Sequence, residues 1–434
     1  MPEVKFRLYE DGDEQGIVDV INSSFSSFRE WGLTTERWLR YESDDYAFKR
    51  ANALVAEVGG RVVGHVQLIT RRLRMGRDVY VECGGIANVS THPDFRGRGI
   101  ATRLMEMALR LCSERGVPLS ALFTGYPGRP HRIYKRVGYG DTLLTHVLAA
   151  EVDEALEALA GEGGVRVEEA GAADVGELER VYEEAHRDYT GVAARPREYW
   201  VRKLLGNRPY YHTFFHESPD AFVRLKALRG GEVVGYAVGL LPTRCRWRRP
   251  EGDAGVILEL VASRPVALRP LLAELLARFK EEGVRSVVAD APLADEYLRA
   301  LEGFKVLRRG GIFMEAVPRP DLLFGKLSGE LSARLEERGV RARLKVVVET
   351  IRGRVALKFD GHAVEPSDPQ GADAVVRIEW DEFTRMVYGI EGFSELLASG
   401  AATVCARGVS RKVVRAMAAA FPRLKFHVWR VDHW

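Results

Sequence analysis

Val89 to Arg103, VSTHPDFRGRGIATR, reads as a strand end, a proline-containing turn, a glycine-rich loop and the opening of a helix. Each part has a physical task. Small residues at Gly97 and Gly99 let backbone amides approach an anion closely. The following helix adds amides that lack an internal partner and the positive end of its dipole. Arg96 and Arg98 bring full charges for phosphate oxygens. The stretch is therefore read as a pyrophosphate cradle between a strand and a helix, with a glycine turn before solvated arginines as the simpler alternative.

The flanks extend this into a mixed α/β (α+β) domain over residues 1–150. Upstream, VKFRLYEDGDEQGIVDVINSSF begins as an alternating strand. An acidic turn follows, then Ile17, Val18, Val20 and Ile21 at helical spacing. Ala53–Val58 and Arg61–Arg72 predict a hairpin about Gly59-Gly60, and a third strand runs from about Val79 to Thr91. Downstream, ATRLMEMALRLCSERG puts Leu104, Met107, Ala108 and Leu111 on one helix face that closes at Gly116. Short strands follow near Leu119–Phe123 and Thr142–Val147.

The order then recurs. VRVEEAGAADVGELERVYEEA, from Val165, repeats the opening strand, turn and helix; RGGEVVGYA echoes VGGRVVGHV, and EYLRALEGF echoes IYKRVGY, all at a similar offset. This predicts a tandem duplication, with the second copy at 151–318. In that copy VASRPVALRPLLAELL stands where the phosphate loop should be and contains no glycine, so one active site per chain is expected. After Pro318 a helix, a β-rich hairpin, the strand AVVRIEW and helices near Asp381–Ser399 and Ser410–Phe421 predict a smaller α+β domain, 319–434.

Bulk properties narrow the class. The chain has 434 residues, 46% hydrophobic and 29% charged, which suits several globular cores. A net charge of +3, with basic residues scattered among acidic ones, gives no electrostatic support for a nucleic-acid partner. Cys83, Cys112, Cys245 and Cys405 lie far apart without metal-ligand spacing, so reduced thiols and no metal site are expected. No signal-like start and no apolar run of about 18 residues is present, which predicts a cytoplasmic protein without a membrane partner.

VSTHPDFRGRGIA resembles the central motif of the GNAT acetyltransferases, Arg/Gln-x-x-Gly-x-Gly/Ala. The resemblance implies acetyl-CoA as co-substrate. The backbone of Val89, Ser90 and Thr91 would pair with the pantetheine arm, and amides of Gly97, Arg98, Gly99, Ile100 and Ala101 would hold the pyrophosphate. In HRIYKRVGYG, Tyr134 stands where such enzymes place a tyrosine near the cofactor sulfur. Its hydroxyl would protonate the departing thiolate as general acid, unless the ring only packs against the core. Glu82 is the nearest acidic side chain for a base, but strand alternation sets it on the opposite face from Val89 and Thr91 unless a bulge intervenes.

Two GNAT-like repeats followed by a third domain resemble the mycobacterial enhanced intracellular survival (Eis) family over essentially the whole chain. That resemblance implies a sterol-carrier-like C-terminal domain and a homo-oligomer, specifically a hexamer. It also implies a primary-amine acceptor of aminoglycoside-like, polyamine-like or lysine type, and the terminal α-carboxylate as base, here that of Trp434. The tail FPRLKFHVWRVDHW is aromatic-rich, as such a role needs, while Arg430 and Asp432 depart from the family's tail. Glu30 and Trp31 stand where the first helical hairpin would cover the acceptor. The alternatives are a non-catalytic CoA-ester sensor and a lipid carrier in which LKVVVE and MVYGIEGFSELL line a tunnel instead of forming ordinary core.

Overall fold

The computed structural model describes residues 3–159, 164–206, 218–245, 251–406 and 408–434. Residues 160–163, within the Ala/Glu/Gly-rich stretch expected to separate the first two domains, lie outside the described residues. The first repeat comprises β1 (Lys5–Leu8), α1 (Glu14–Ser24), α2 (Ser26–Glu30), α3 (Thr35–Asp44), β2 (Ala53–Val58), β3 (Arg61–Arg74), β4 (Tyr80–Thr91), α4 (Ile100–Glu114), β5 (Leu119–Gly125), α5 (Arg129–Val137) and β6 (Gly140–Glu151). Gly59 and Gly60 turn the β2–β3 hairpin with φ of 58° and 79°, the left-handed pair that matches strand twist. On α4 the buried stripe is Ile100, Leu104, Met105, Ala108 and Cys112. It is rotated from the expected face, so Met107 and Leu111 lie at its rim.

The second repeat comprises α6 (Val152–Ala158), β7 (Arg166–Glu169), α7 (Val175–Ala185), β8 (Tyr189–Thr190), α8 (Arg197–Tyr199), β9 (Phe222–Arg229), β10 (Glu232–Leu240), β11 (Gly255–Ala262), α9 (Leu268–Glu281), β12 (Ser286–Ala289), α10 (Asp295–Ala300) and β13 (Lys305–Ala316). Both repeats share one twelve-stranded sheet, in the order β1-β2-β3-β4-β5-β13-β6-β12-β11-β10-β9-β7. Read from its two ends, this order is the same until the centre, where β6 and β13 have changed places. β13 pairs with β5 from Ala316↔Ser120 to Gly311↔Gly125, while β6 pairs with β12 from Glu151↔Ser286 to Leu148↔Ala289. The last strand of each repeat thus covers an edge of the other, and no exposed edge remains at the join.

The third region holds α11 (Pro320–Glu337), β14 (Ala342–Thr350), β15 (Gly353–Gly361), β16 (Ala363–Ser367), β17 (Ala374–Ile378), α12 (Trp380–Tyr388), α13 (Phe393–Ala398), β18 (Ala402–Ala406), α14 (Ser410–Ala420) and β19 (Lys425–Phe426). Its sheet runs β16-β15-β14-β17-β18. Val346, Val348, Met386, Tyr388 and Phe393 join Leu327 and Leu331 in one core that extends to Cys83 and Leu119 of the first repeat. The apolar stretches offered as tunnel lining are packed core. β19 pairs in parallel with β8, Lys425↔Tyr189 and Phe426↔Thr190. From there the tail buries Trp429 and Val431 in the second repeat's core.

Candidate active site

In the first repeat β4 and β5 pair only where Cys83–Gly85 meets Leu119–Ala121, and beyond that they diverge. A bulge accompanies the divergence. The register of β4 on β3 passes from Gln67↔Ala87 to His65↔Ser90, leaving Asn88 and Val89 opposite Val66. Asn88 takes φ of 54°, a left-handed conformation that asparagine tolerates better than most residues. Strict alternation, which the sequence reading took as its default, is broken at this point. It leaves an open V between the strands, a cleft of about 1070 Å³.

Val89, Ser90, Thr91, Arg96, Gly97, Gly99, Ile100, Ala101, Tyr134 and Trp434 all line this cleft. Arg98 does not; its guanidinium lies 5.0 Å over the Phe95 ring and donates to the Asp94 carbonyl at 3.3 Å. Gly97 and Gly99 have φ of 79° and 75°, which a Cβ would strain, yet no atom lies within 4 Å of where that Cβ would stand. Glycine is needed here for backbone conformation, and the space before the loop is open to an anion. Gly99 caps α4 without a side chain, so the first-turn amides face that space without a side-chain cap. The residues fit the phosphate end of a CoA ester.

Tyr134 sits on α5 and is 7% exposed; burial pushes its phenol above the ordinary range, so the hydroxyl keeps its proton. The helix stops at Gly138, φ 119°, where the N–H groups of Gly138 and Tyr139 donate to the Tyr134 carbonyl at 3.1 and 3.0 Å. Tyr139 Oη and Ser120 Oγ lie 2.7 Å apart, and Ser120 donates to the Gly84 carbonyl at 2.8 Å, which fastens this helix end to the vertex of the V. Trp434 lies against the same vertex: a Cβ on Gly85 would fall 2.3 Å from its indole. His433 stacks on Phe123 at 3.8 Å.

Glu82 is not among the cleft-lining residues. Burial alone would raise its carboxyl, but Lys326, 2.9 Å away, holds it below its usual range. Sequence reading missed Arg129, Arg132 and Arg136, which line the cleft from α5. Their i, i+3, i+7 spacing in RPHRIYKRV was the available signal. The side of the cleft formed by the first helices also differs from expectation. Ser24, Phe25, Ser27, Phe28 and Tyr41 line it. Trp31, 5% exposed, belongs to the core and Glu30 faces solvent.

The second repeat keeps the splay but not the opening. β11 and β12 pair only where Gly255–Ile257 meets Val287–Ala289. Beyond that point the tail packs against β11. Trp429 lies 6.4 Å from the ring of Tyr297, the counterpart of Tyr134. Arg195 bridges Glu259 of β11 and Asp432 of the tail, 2.6 Å from Asp432, with all three buried. Tyr236 donates to Glu259 at 3.0 Å and Tyr199 to Asp432 at 2.9 Å.

A splayed strand pair, a glycine loop on a helix N-terminus and a buried tyrosine define the acyltransferase class known as GNAT, and residues 5–141 match the family model described as an acetyltransferase (GNAT) domain. The chain thus carries an acyltransferase domain. An uncharacterized N-acetyltransferase of Streptomyces griseus is 29% identical over 221 residues, 49% of this chain and 50% of that protein. The chain spans about half the length of the curated relatives it matches first. Among solved structures, a GCN5-related N-acetyltransferase from Kribbella flavida shares the fold across 100% of this chain and 99% of its own, with TM-score 0.69 and 18% identity. Eis1 from Mycobacterium abscessus does so across 98% and 99%, with TM-score 0.63 and 17% identity. Among the described residues no group of three or more His, Cys, Asp or Glu is placed to hold a metal, and no helix is long and apolar enough to cross a membrane.

Proposed function

We propose that this chain transfers acetyl from acetyl-CoA to a primary amine by direct attack in the cleft of the first repeat. The observation that carries the reading is convergence: the glycine loop, the buried phenol of Tyr134 and Trp434 line one cleft although they are far apart in sequence. The bound thioester supplies the activated carbonyl. Amides of residues 97–101 hold the pyrophosphate, with Arg96, Arg129, Arg132 and Arg136 as counter-charges. The backbone of Val89, Ser90 and Thr91 receives the pantetheine arm. A carbon–nitrogen bond forms as the carbon–sulfur bond breaks; the amine proton passes to the base and the Tyr134 hydroxyl proton to the sulfur. The α-carboxylate of Trp434 is assigned as base on the Eis resemblance and on the place of Trp434 in the cleft.

The same resemblance supports aminoglycoside-like, polyamine-like or lysine acceptors, a sterol-carrier-like third domain, a hexamer and a cytoplasmic location as parts of the proposal. Titration with acetyl-CoA and thiol release with a panel of amines test its centre. Saturable binding and amine-dependent release are expected, and absence of binding overturns it. Deletion of Trp434 should depress turnover and leave acetyl-CoA affinity unchanged; full turnover without it assigns the base to a side chain.

A further inference from the structure

Tyr134 is carried by α5, a helix of nine residues, too short to hold its shape in water without outside partners. Among the described residues no group hydrogen-bonds the Tyr134 hydroxyl; its ring meets that of Tyr139 edge to face, centroids 6.2 Å apart. The place of the hydroxyl therefore follows the place of the helix. At its N-terminal end α5 has no side-chain cap, and Arg129 and Arg132 line the cleft. At its C-terminal end the last carbonyls need donors from outside the helix.

Those donors come from the third region, 217 and 242 residues further along the chain. Arg352, in the turn between β14 and β15, donates to the Lys135 carbonyl at 2.9 Å, which the Gly138 N–H reaches only at 3.3 Å. Trp380, the first residue of α12, donates its indole N–H to the Gly138 carbonyl at 2.9 Å. Stacking on Phe383, at 5.4 Å and 22°, holds the indole in that direction. The strand after the helix is tied to the same elements. Asp381 accepts from the Lys135 ammonium and from the Asp141 N–H, the latter at 3.0 Å, and Arg385 donates to the Asp141 carbonyl at 3.2 Å. A Cβ on Gly140 would fall 3.0 Å from Thr384, so glycine lets α12 approach β6 this closely.

The half-exposed ion pair of Lys135 and Asp381 adds little stability. The hydrogen bonds to the two carbonyls instead fix the helix end, and with it the angle at which α5 presents Tyr134 one turn earlier. Resting on the reading of Tyr134 as general acid, we infer that the third region caps this helix from across the chain, with Arg352 and Trp380 as positioning residues for the Tyr134 hydroxyl. The third region thereby has a part in the reaction besides carrying the tail.

Arg352 is exposed and Trp380 half-buried, so Arg352→Met and Trp380→Phe together remove both donors and keep the apolar contacts. In that double variant the amides of residues 132–138 should exchange with deuterium about tenfold faster, with those of α4 unchanged. Unchanged exchange in α5 overturns the inference. Thiol release with spermidine and kanamycin reads catalysis. The double variant should lower kcat about tenfold and leave acetyl-CoA affinity unchanged, because a displaced acid costs rate and not binding. Placed on Tyr134→Phe protein, the same two substitutions should change kcat less than about twofold, since the group they position is gone. Equal losses on both backgrounds mark a general structural role and overturn the inference. Full turnover by Tyr134→Phe alone overturns the acid assignment beneath it, so the two failures are distinguishable. Where Trp380→Phe destabilises the protein, Arg352→Met at its exposed turn carries the same comparison alone.

Discussion

The two repeats hold the same splayed strand pair and put it to opposite uses. Between β4 and β5 the gap is open and faced by a glycine loop; in the second repeat the tail packs along β11 where it leaves β12. The first arrangement leaves backbone amides for a ligand, and the second surrounds Arg195, Glu259 and Asp432 with protein. One loop marks the change. Residues 97 and 99 are glycine in the first repeat, whereas 263–267 is Ser-Arg-Pro-Val-Ala. In the repeat without the glycine loop, burying Trp429 and Val431 in the gap adds hydrophobic stabilisation.

The comparison breaks most severely at Arg195. Arg195→Met strands two buried carboxylates and should cost about 3–5 kcal/mol, seen as a lower urea midpoint, while replacing all three groups with apolar residues of similar volume should recover most of it. Acid should attack the filled gap next. Burial lowers His427 from its ordinary 6.5 to about 4. As pH falls the unfolded chain binds this proton first, so stability present above pH 6.5 is lost between 6.5 and 4. The loss from this group is about 3 kcal/mol, and His427→Gln should flatten the acid limb of a denaturation series.

The paired tyrosines sharpen the contrast in chemistry. Tyr134→Phe should lower kcat by roughly a hundredfold with acetyl-CoA affinity intact, whereas Tyr297→Phe should change turnover less than about twofold. Because burial raises the Tyr134 phenol, its hydroxyl proton stays bound beyond pH 10, and on the proposed mechanism wild-type turnover should show no alkaline loss below that pH from this group. The smallest effect concerns the loop. Gly99→Ala places a Cβ at φ 75°, costing about 1–2 kcal/mol and weakening acetyl-CoA binding roughly tenfold, measured by calorimetric titration.

The phosphate loop and Tyr134 were legible because each depends on local chemistry: glycines at left-handed positions, a helix N-terminus, a tyrosine one turn before a glycine stop. The duplication was legible for the same reason, since each repeat carries its own hairpin and helix signals. The bulge at Asn88 was not, because asparagine in a strand gives only a weak hint of a left-handed residue. Trp31 looked like part of the acceptor wall, yet α2 turns Phe28 to the cleft and Trp31 inward, a rotation set by packing. Arg98 resembled a phosphate ligand by spacing, but its side chain lies over Phe95.

By itself the sequence determined that strands and helices recur twice, that only the first copy carries a glycine loop before its helix, and where the phenol stands. The tertiary structure decided that β6 and β13 are exchanged and that the tail crosses one repeat to reach the cleft of the other. The physical reason is that β6 pairs with β12 and β13 through backbone groups that every residue except proline carries, so side-chain pattern marks a strand without naming its neighbour. The fate of the tail likewise depended on a gap in the second repeat and a glycine at 85 in the first, surfaces that exist only after the sheet has formed.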